Sequence, residues 1–291
     1  VSISALARRA AGRALREYRS SGVRWHLRNA RAELEYLVSR PTLSSTVAAT
    51  VATLDRDGLA ILPVETLVDP ALTRALTDEV AAREVEANDQ IAMARRGSPT
   101  HYKERYRYSL LGLTPPWDAS SAFARFAGSA GISQVANAYY RLEAQLRYYN
   151  VWRTFPVTDP PSDSQLWHRD QDDRFILKVF LYLSDVGHDA GPLTYIPGSH
   201  KKGRVRVQPE AFKEPGHSNW RTRDDQMERV LPRSRWREAT GAAGTLVFVD
   251  TTGFHKGGFS TTQERNVFTC MFTSPLAEDG DLFDPATPVV R

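Results

Sequence analysis

Two histidines and an aspartate form the most chemically suggestive set in this sequence. His168 and Asp170 stand two apart in Trp167-His168-Arg169-Asp170. Side chains of an extended strand repeat every second residue, so an imidazole nitrogen and a carboxylate oxygen would share one face there. His255 follows TLVFVD and the turn TTGF, 85 residues past Asp170. Two imidazoles and one carboxylate on one face of an octahedral ion leave three positions open, the arrangement of non-haem Fe(II) oxygenases. Two open positions suit a chelating 2-oxo acid and the third suits O2. Arg265, ten residues past His255 at the start of RNVFTCMFT, offers a planar fork for the distal carboxylate of 2-oxoglutarate. Each piece alone is a weak signal; their order, on segments that read as strands, makes them one candidate site.

Lys178 is the only charge in the apolar run from Phe175 to Leu183. A buried ammonium is costly without an anion, so its expected partner is an internal carboxylate or a carboxylate of bound cosubstrate or substrate. Tyr149, Trp152 and Gln165 flank the metal segment and serve either as pocket lining or as core. His200, in Pro197-Gly198-Ser199-His200, is expected to hold a turn rather than a metal. Asp172 and Asp173 read as loop charges, and His26, His101, His188 and His217 have no partner at ligand spacing.

Positioning such a site requires strands, and these are concentrated after about Leu146. LRYYNVWRTF, SQLWHRD, FILKVFLYL, PLTYI, TLVFVD and NVFTCMFT alternate with Gly, Pro, Asp and Ser clusters, which predicts a mainly β, double-stranded β-helix (jelly-roll) core over about 146–275. The preceding half reads as helical, giving an α+β chain: one or two amphipathic helices from Ser4 to about Val38, a helix, turn and strand between Val47 and Val64, then helices over Pro70–Glu86 and about Ala119–Ala138. Residues 1–46 are expected to be a basic helical extension and 47–291 one catalytic domain. Within it, the arginine-rich excursion at about 201–241 reads as a lid over the site that favours an anionic small molecule.

Composition excludes several classes. With 291 residues, 41% hydrophobic and 25% charged, the chain has ordinary globular values and no apolar run long enough to cross a bilayer. Its single cysteine, Cys270, rules out an internal disulfide and a Cys-rich zinc site, so cytoplasm is the expected compartment. Residues 1–40 carry nine arginines against three glutamates, within a net charge of +4. They read as a solvated helix face, with peripheral contact to an anionic membrane as the alternative; no targeting signal and no nucleic-acid motif is read.

The sequence resembles the phytanoyl-CoA dioxygenase family of Fe(II)/2-oxoglutarate oxygenases. The resemblance runs from the turn Asp55–Leu59 to about Ser274 and rests on HRD at 168–170, GPLTYIPGSHKKG at 191–203, and His255 followed by Arg265. It implies that His168, Asp170 and His255 bind Fe(II), that Arg265 binds 2-oxoglutarate, and that O2 is consumed with release of succinate and CO2. Gly257 departs from the Ser or Thr of many relatives, which removes one expected hydrogen bond to the cosubstrate. Asp170 occupies the position that related halogenases leave to a halide, so hydroxylation is the expected outcome, ahead of desaturation, epimerisation or ring formation. Two other classes use the same ligands: a non-oxidative metal- or ligand-binding jelly roll, and a zinc hydrolase. The first leaves Arg265 unexplained, and the hydrolase lacks a general base at diagnostic spacing.

Overall fold

The computed structural model describes residues 22–39, 41–96, 106–201, 221–277 and 282–286. Helix Ser45–Asp57 starts where the Ser44 hydroxyl accepts from Val47 N at 3.2 Å, and buries Val47, Thr50 and Leu54 at helical spacing. It stops at Gly58, whose φ of +77° and close approach to Tyr195 admit no side chain. The chain then enters β1 (Leu59–Pro63), as the Asp-Gly signal predicted. Helix Pro70–Glu86 has the expected bounds, whereas the helix expected over Ala119–Ala138 is two, Ala122–Ala127 and Ala130–Tyr140, separated at Gly128-Ser129.

The remaining strands are β2 (Arg107–Ser109), β3 (Gln145–Thr154), β4 (Leu177–Tyr182), β5 (Thr194–Tyr195), β6 (Arg237–Glu238), β7 (Thr245–Asp250), β8 (His255–Lys256) and β9 (Arg265–Thr273). They build a six-stranded antiparallel sheet, β1-β7-β4-β9-β3-β2, and a small sheet, β6-β5-β8. This is the double-stranded β-helix core with flanking helices that the strand pattern predicted. One segment differs: SQLWHRD is not a ladder strand. It opens with a single helical turn, Asp163–Gln165, and pairs only through isolated bridges, Trp167 to Thr222 and His168 to His255.

Pleating divides the large sheet into two environments. Leu177, Val179 and Leu181 of β4, with Phe268, Cys270 and Phe272 of β9, point to the helices and pack with Phe126, Ile132 and Val135. Their neighbours of opposite parity, Lys178, Phe180 and Tyr182, with Arg265, Val267 and Met271, face a cavity on the other side. Tyr149 has helix-side parity: it sits among Phe123, Trp117 and Phe283 and donates to Pro116 O, so it is a core residue and does not line the pocket.

Helix Gly22–Ser39 docks through Trp25, which packs edge-on against Phe175 and donates from Nε1 to Asp173. Residues 1–21 and 40 of the basic extension lie outside the described residues, as does 202–220 of the excursion read as a lid. Residues 221–241 of that excursion form helix Asp224–Glu228 and β6, and bury Met227 in a cluster with Trp167, Ile196 and Phe254. Among the described residues no helix is long and apolar enough to cross a membrane.

Phe268 is fully buried between the sheet and helix Ala122–Ala127, in ring contact with Phe123 and Phe126. Phe268→Ala is expected to lower unfolding stability by about 3–5 kcal/mol in denaturant titration; a loss under about 1 kcal/mol would contradict this packing.

Candidate active site

His168 and His255 are brought together by backbone, not by their side chains. His168 N donates to His255 O at 2.9 Å and His255 N donates to His168 O at 3.0 Å, an antiparallel pair directly opposite one another. Such a pair projects both side chains to one face, and the ring centroids lie 4.2 Å apart. Asp170, two residues on, is anchored by its own N–H to Thr251 O at 2.9 Å. The turn that presents His255 is tied down in turn. Asp250 accepts from Thr252 N and Oγ1 at 2.9 and 2.7 Å, and Ser199 of the Pro-Gly-Ser-His turn accepts from Phe254 N at 2.8 Å. Ile196 N also donates to Phe254 O at 3.0 Å. His200 sits against Gly58 and the end of helix Ser45–Asp57, away from the triad, in keeping with a structural role.

The donor atoms suit a metal. His168 Nδ1 hydrogen-bonds Leu166 O at 2.8 Å and His255 Nδ1 hydrogen-bonds Gly253 O at 3.0 Å, which leaves both Nε2 lone pairs directed inward. Nε2 of His168 is 3.7 Å from Asp170 Oδ1, and Nε2 of His255 is 3.9 Å from Asp170 Oδ2. These gaps are too wide for hydrogen bonds. All three donors fall within 4.8 Å of one another, so one ion can bridge them. Burial pushes both imidazoles below the usual histidine range, which keeps them neutral and able to ligate. For Asp170, burial opposes ionisation, but the Lys178 ammonium outweighs it and holds the carboxyl well below the usual range.

The sheet parity that places Lys178 in the cavity also supplies its anion: Nζ lies 2.7 Å from Asp170 Oδ2, which makes the internal carboxylate its partner. Arg265 opens onto the same cavity of about 390 Å³. Its Nη1 donates to Gly191 O, its Nη2 lies 3.4 Å from the Thr154 hydroxyl, and its Nε is buried with no hydrogen-bond partner. That open donor fits a carboxylate ligand. Trp152, read as pocket lining or core, lines the cavity, and Asp172, read as a loop charge, does so too. Gln165 is instead used locally, where its Oε1 accepts from Ser162 N at 3.1 Å. Asp173 is structural, accepting from Trp25 Nε1 and Ser274 N. His26 and His188 are in exposed pairs with Glu33 and Glu238, and His101 and His217 lie outside the described residues.

Several lining residues had no motif to mark them. Thr154 lies opposite both Arg107 and Arg265 in the ladder, forming a cross-strand row Arg107–Thr154–Arg265. Tyr106 and Ser164 share a hydrogen bond of 2.7 Å beside Gly257, whose N–H donates to Ser164 O at 2.6 Å. Arg221 reaches the cavity from the bridge at Thr222. The one available signal was parity: Tyr148, Asn150, Trp152 and Thr154 share a face.

The model of the phytanoyl-CoA dioxygenase family matches residues 46–267. The chain belongs to this family. This phytanoyl-CoA dioxygenase family member is an Fe(II)/2-oxoglutarate-dependent oxygenase, with iron and 2-oxoglutarate as cofactors. Solved structures share its fold. EctD from S. alaskensis, solved with 2-oxoglutarate and 5-hydroxyectoine, aligns at TM-score 0.54 and 17% identity, covering 86% of this chain and 88% of that one. AviO1 from Streptomyces viridochromogenes Tue57 aligns at 0.50 and 18% over 82% and 100%. SnoN, described as a non-haem alpha ketoglutarate dependent epimerase from nogalamycin biosynthesis, aligns at 0.50 and 19% over 84% and 86%. No curated protein sequence matches the chain.

The contact between Lys178 and Asp170 gives a test. Lys178→Met leaves a buried carboxylate without its cation and is expected to cost the metal-free protein about 3–5 kcal/mol. Divalent metal should restore part of that loss, since it supplies a new positive partner. Equal stability of variant and parent without metal would contradict the pairing.

Proposed function

We propose that this enzyme hydroxylates a C–H bond of a small organic substrate, with 2-oxoglutarate converted to succinate and CO2. The observation that carries the reading is the opening of the His168–Asp170–His255 set and the Arg265 guanidinium onto one cavity. When bound, iron supplies activation of O2 for the oxidation. The chain does the rest. His168, Asp170 and His255 hold the ion by three protein atoms and leave positions for a chelating 2-oxo acid. Lys178 keeps Asp170 ionised in a buried setting. Arg265, backed by Thr154, clamps the distal carboxylate and so fixes how the cosubstrate lies. Trp152, Phe180, Met271 and Tyr148 supply an apolar wall that excludes water and places the substrate.

Asp170 as third ligand supports hydroxylation over halogenation. Fold relatives include both a protein solved with a hydroxylated molecule and one described as an epimerase, so the outcome depends on how the pocket presents its substrate. Incubation with Fe(II), 2-oxoglutarate and O2 is expected to yield succinate, which neither a non-oxidative binding module nor a zinc hydrolase would form. His255→Ala should abolish this activity together with iron retention. Arg265→Lys keeps the charge but not the fork, so the KM for 2-oxoglutarate should rise about 10-fold or more with iron still bound. Unchanged 2-oxoglutarate dependence in Arg265→Lys, or succinate formation by His255→Ala, would overturn the assignment.

A further inference from the structure

The cavity holds more positive charge than the proposed reaction uses. Arg107, Lys178, Arg221 and Arg265 line it against two carboxylates, Asp170 and Asp172. The two charges of Fe(II) and the two of 2-oxoglutarate cancel, so an excess of two positive charges remains with both bound. Lys178 is spoken for by Asp170, and Arg265 by the cosubstrate in the reading above. Arg107 lies over the Trp152 ring, 4.3 Å from its centroid, which uses its face. Arg221 enters the cavity from the bridge at Thr222. Its Nη1 donates to Asp163 O at 2.5 Å, and among the described residues its buried Nε has no hydrogen-bond partner and no carboxylate pairs with it. Its backbone is fixed by the Thr222–Trp167 bridge, two hydrogen bonds of 2.9 and 3.0 Å, one residue before the ligand His168. A guanidinium held beside a metal centre with an open buried donor is a site for an anion.

The rest of the wall defines what the anion is attached to. Tyr148, Met271 and Trp152 form an apolar cluster on the cavity face, and the half-exposed Leu113 and Leu282 continue apolar surface to its rim. We propose that the oxidised substrate is an amphipathic acid, an aryl or alkyl chain ending in a carboxylate that Arg221 binds. This rests on the oxygenase reading, which makes the bound acid the oxidised substrate and places 2-oxoglutarate at Arg265. Binding follows the same logic without turnover, because the fixed cation discriminates charge at constant shape.

The test is anaerobic calorimetry on protein loaded with Fe(II) and 2-oxoglutarate, titrated with 3-phenylpropanoate and decanoate and with their neutral primary amides. The acids are expected to bind at least about 10-fold more tightly than the amides, as for one charge-assisted contact. Arg221→Gln should erase that preference while leaving amide binding, iron content and 2-oxoglutarate affinity unchanged. No preference for the acid in either pair overturns the proposal, as does an Arg221→Gln variant that keeps the preference. Weakened 2-oxoglutarate binding in Arg221→Gln also overturns it, by assigning Arg221 to the cosubstrate. Failure of the parent protein to bind Fe(II) and 2-oxoglutarate counts against the oxygenase reading instead, and the acid preference of the unloaded cavity is then read separately.

Discussion

The paired backbone hydrogen bonds between His168 and His255 are the constraint on which the rest of the site depends. They join two segments far apart in sequence and, by placing the residues directly opposite one another, oblige both imidazoles to the same face. Everything around the bridge keeps it in register. The Pro-Gly-Ser-His turn holds Phe254 from one side, Asp250 locks the turn before His255, and Arg169 stacks on Phe254 at 3.9 Å while donating to Ser199 O. Gly253 is needed here because a side chain would overlap the Tyr195 hydroxyl, which itself donates to Asp250 O at 3.0 Å. A motif remote from the metal thus sets the position of a ligand through packing and main-chain bonds.

Sheet pleating supplies the second condition. Strands β3, β4 and β9 each give alternate residues to a helix-covered core and to a polar, charged cavity, and the hydrophobic side anchors the polar one. Charge burial is tolerated because it is matched locally. Lys178 meets Asp170, and burial keeps the imidazoles uncharged, so the metal-binding face needs no further anion. Among the described residues Arg265 is held by neutral partners, a carbonyl and a hydroxyl, which is the state of a group whose counter-charge arrives with a ligand.

Much of this was legible in the sequence, and for identifiable reasons. The spacing of His168 and Asp170, the strand before His255 and the position of Arg265 obey local periodicity, which needs no knowledge of tertiary contacts. The double-sheet core followed from strands punctuated by turn residues. What was missed depends on long-range pairing. SQLWHRD reads as a strand but makes only single bridges, and β2, β6 and β8 are too short to leave a pattern. Lys178 announced a buried anion but not which one, because its partner comes from a loop rather than a neighbouring strand. Tyr149 and Trp152 both flank the metal segment, but strand alternation gives them opposite parity and opposite faces. Arg107 and Arg221 look like any surface arginine until β2 and the Thr222 bridge turn them inward.

The bridge converges three ligands for one iron and leaves room for a chelating cosubstrate. The most direct measurement is anaerobic titration of Fe(II) into the protein with 2-oxoglutarate, following the visible charge-transfer absorption that chelation of Fe(II) by a 2-oxo acid produces. The absorption is expected to saturate at one iron per chain in the parent protein and not to form in Asp170→Ala. Its absence from the parent, or its persistence unchanged in Asp170→Ala, would contradict iron binding by these three ligands.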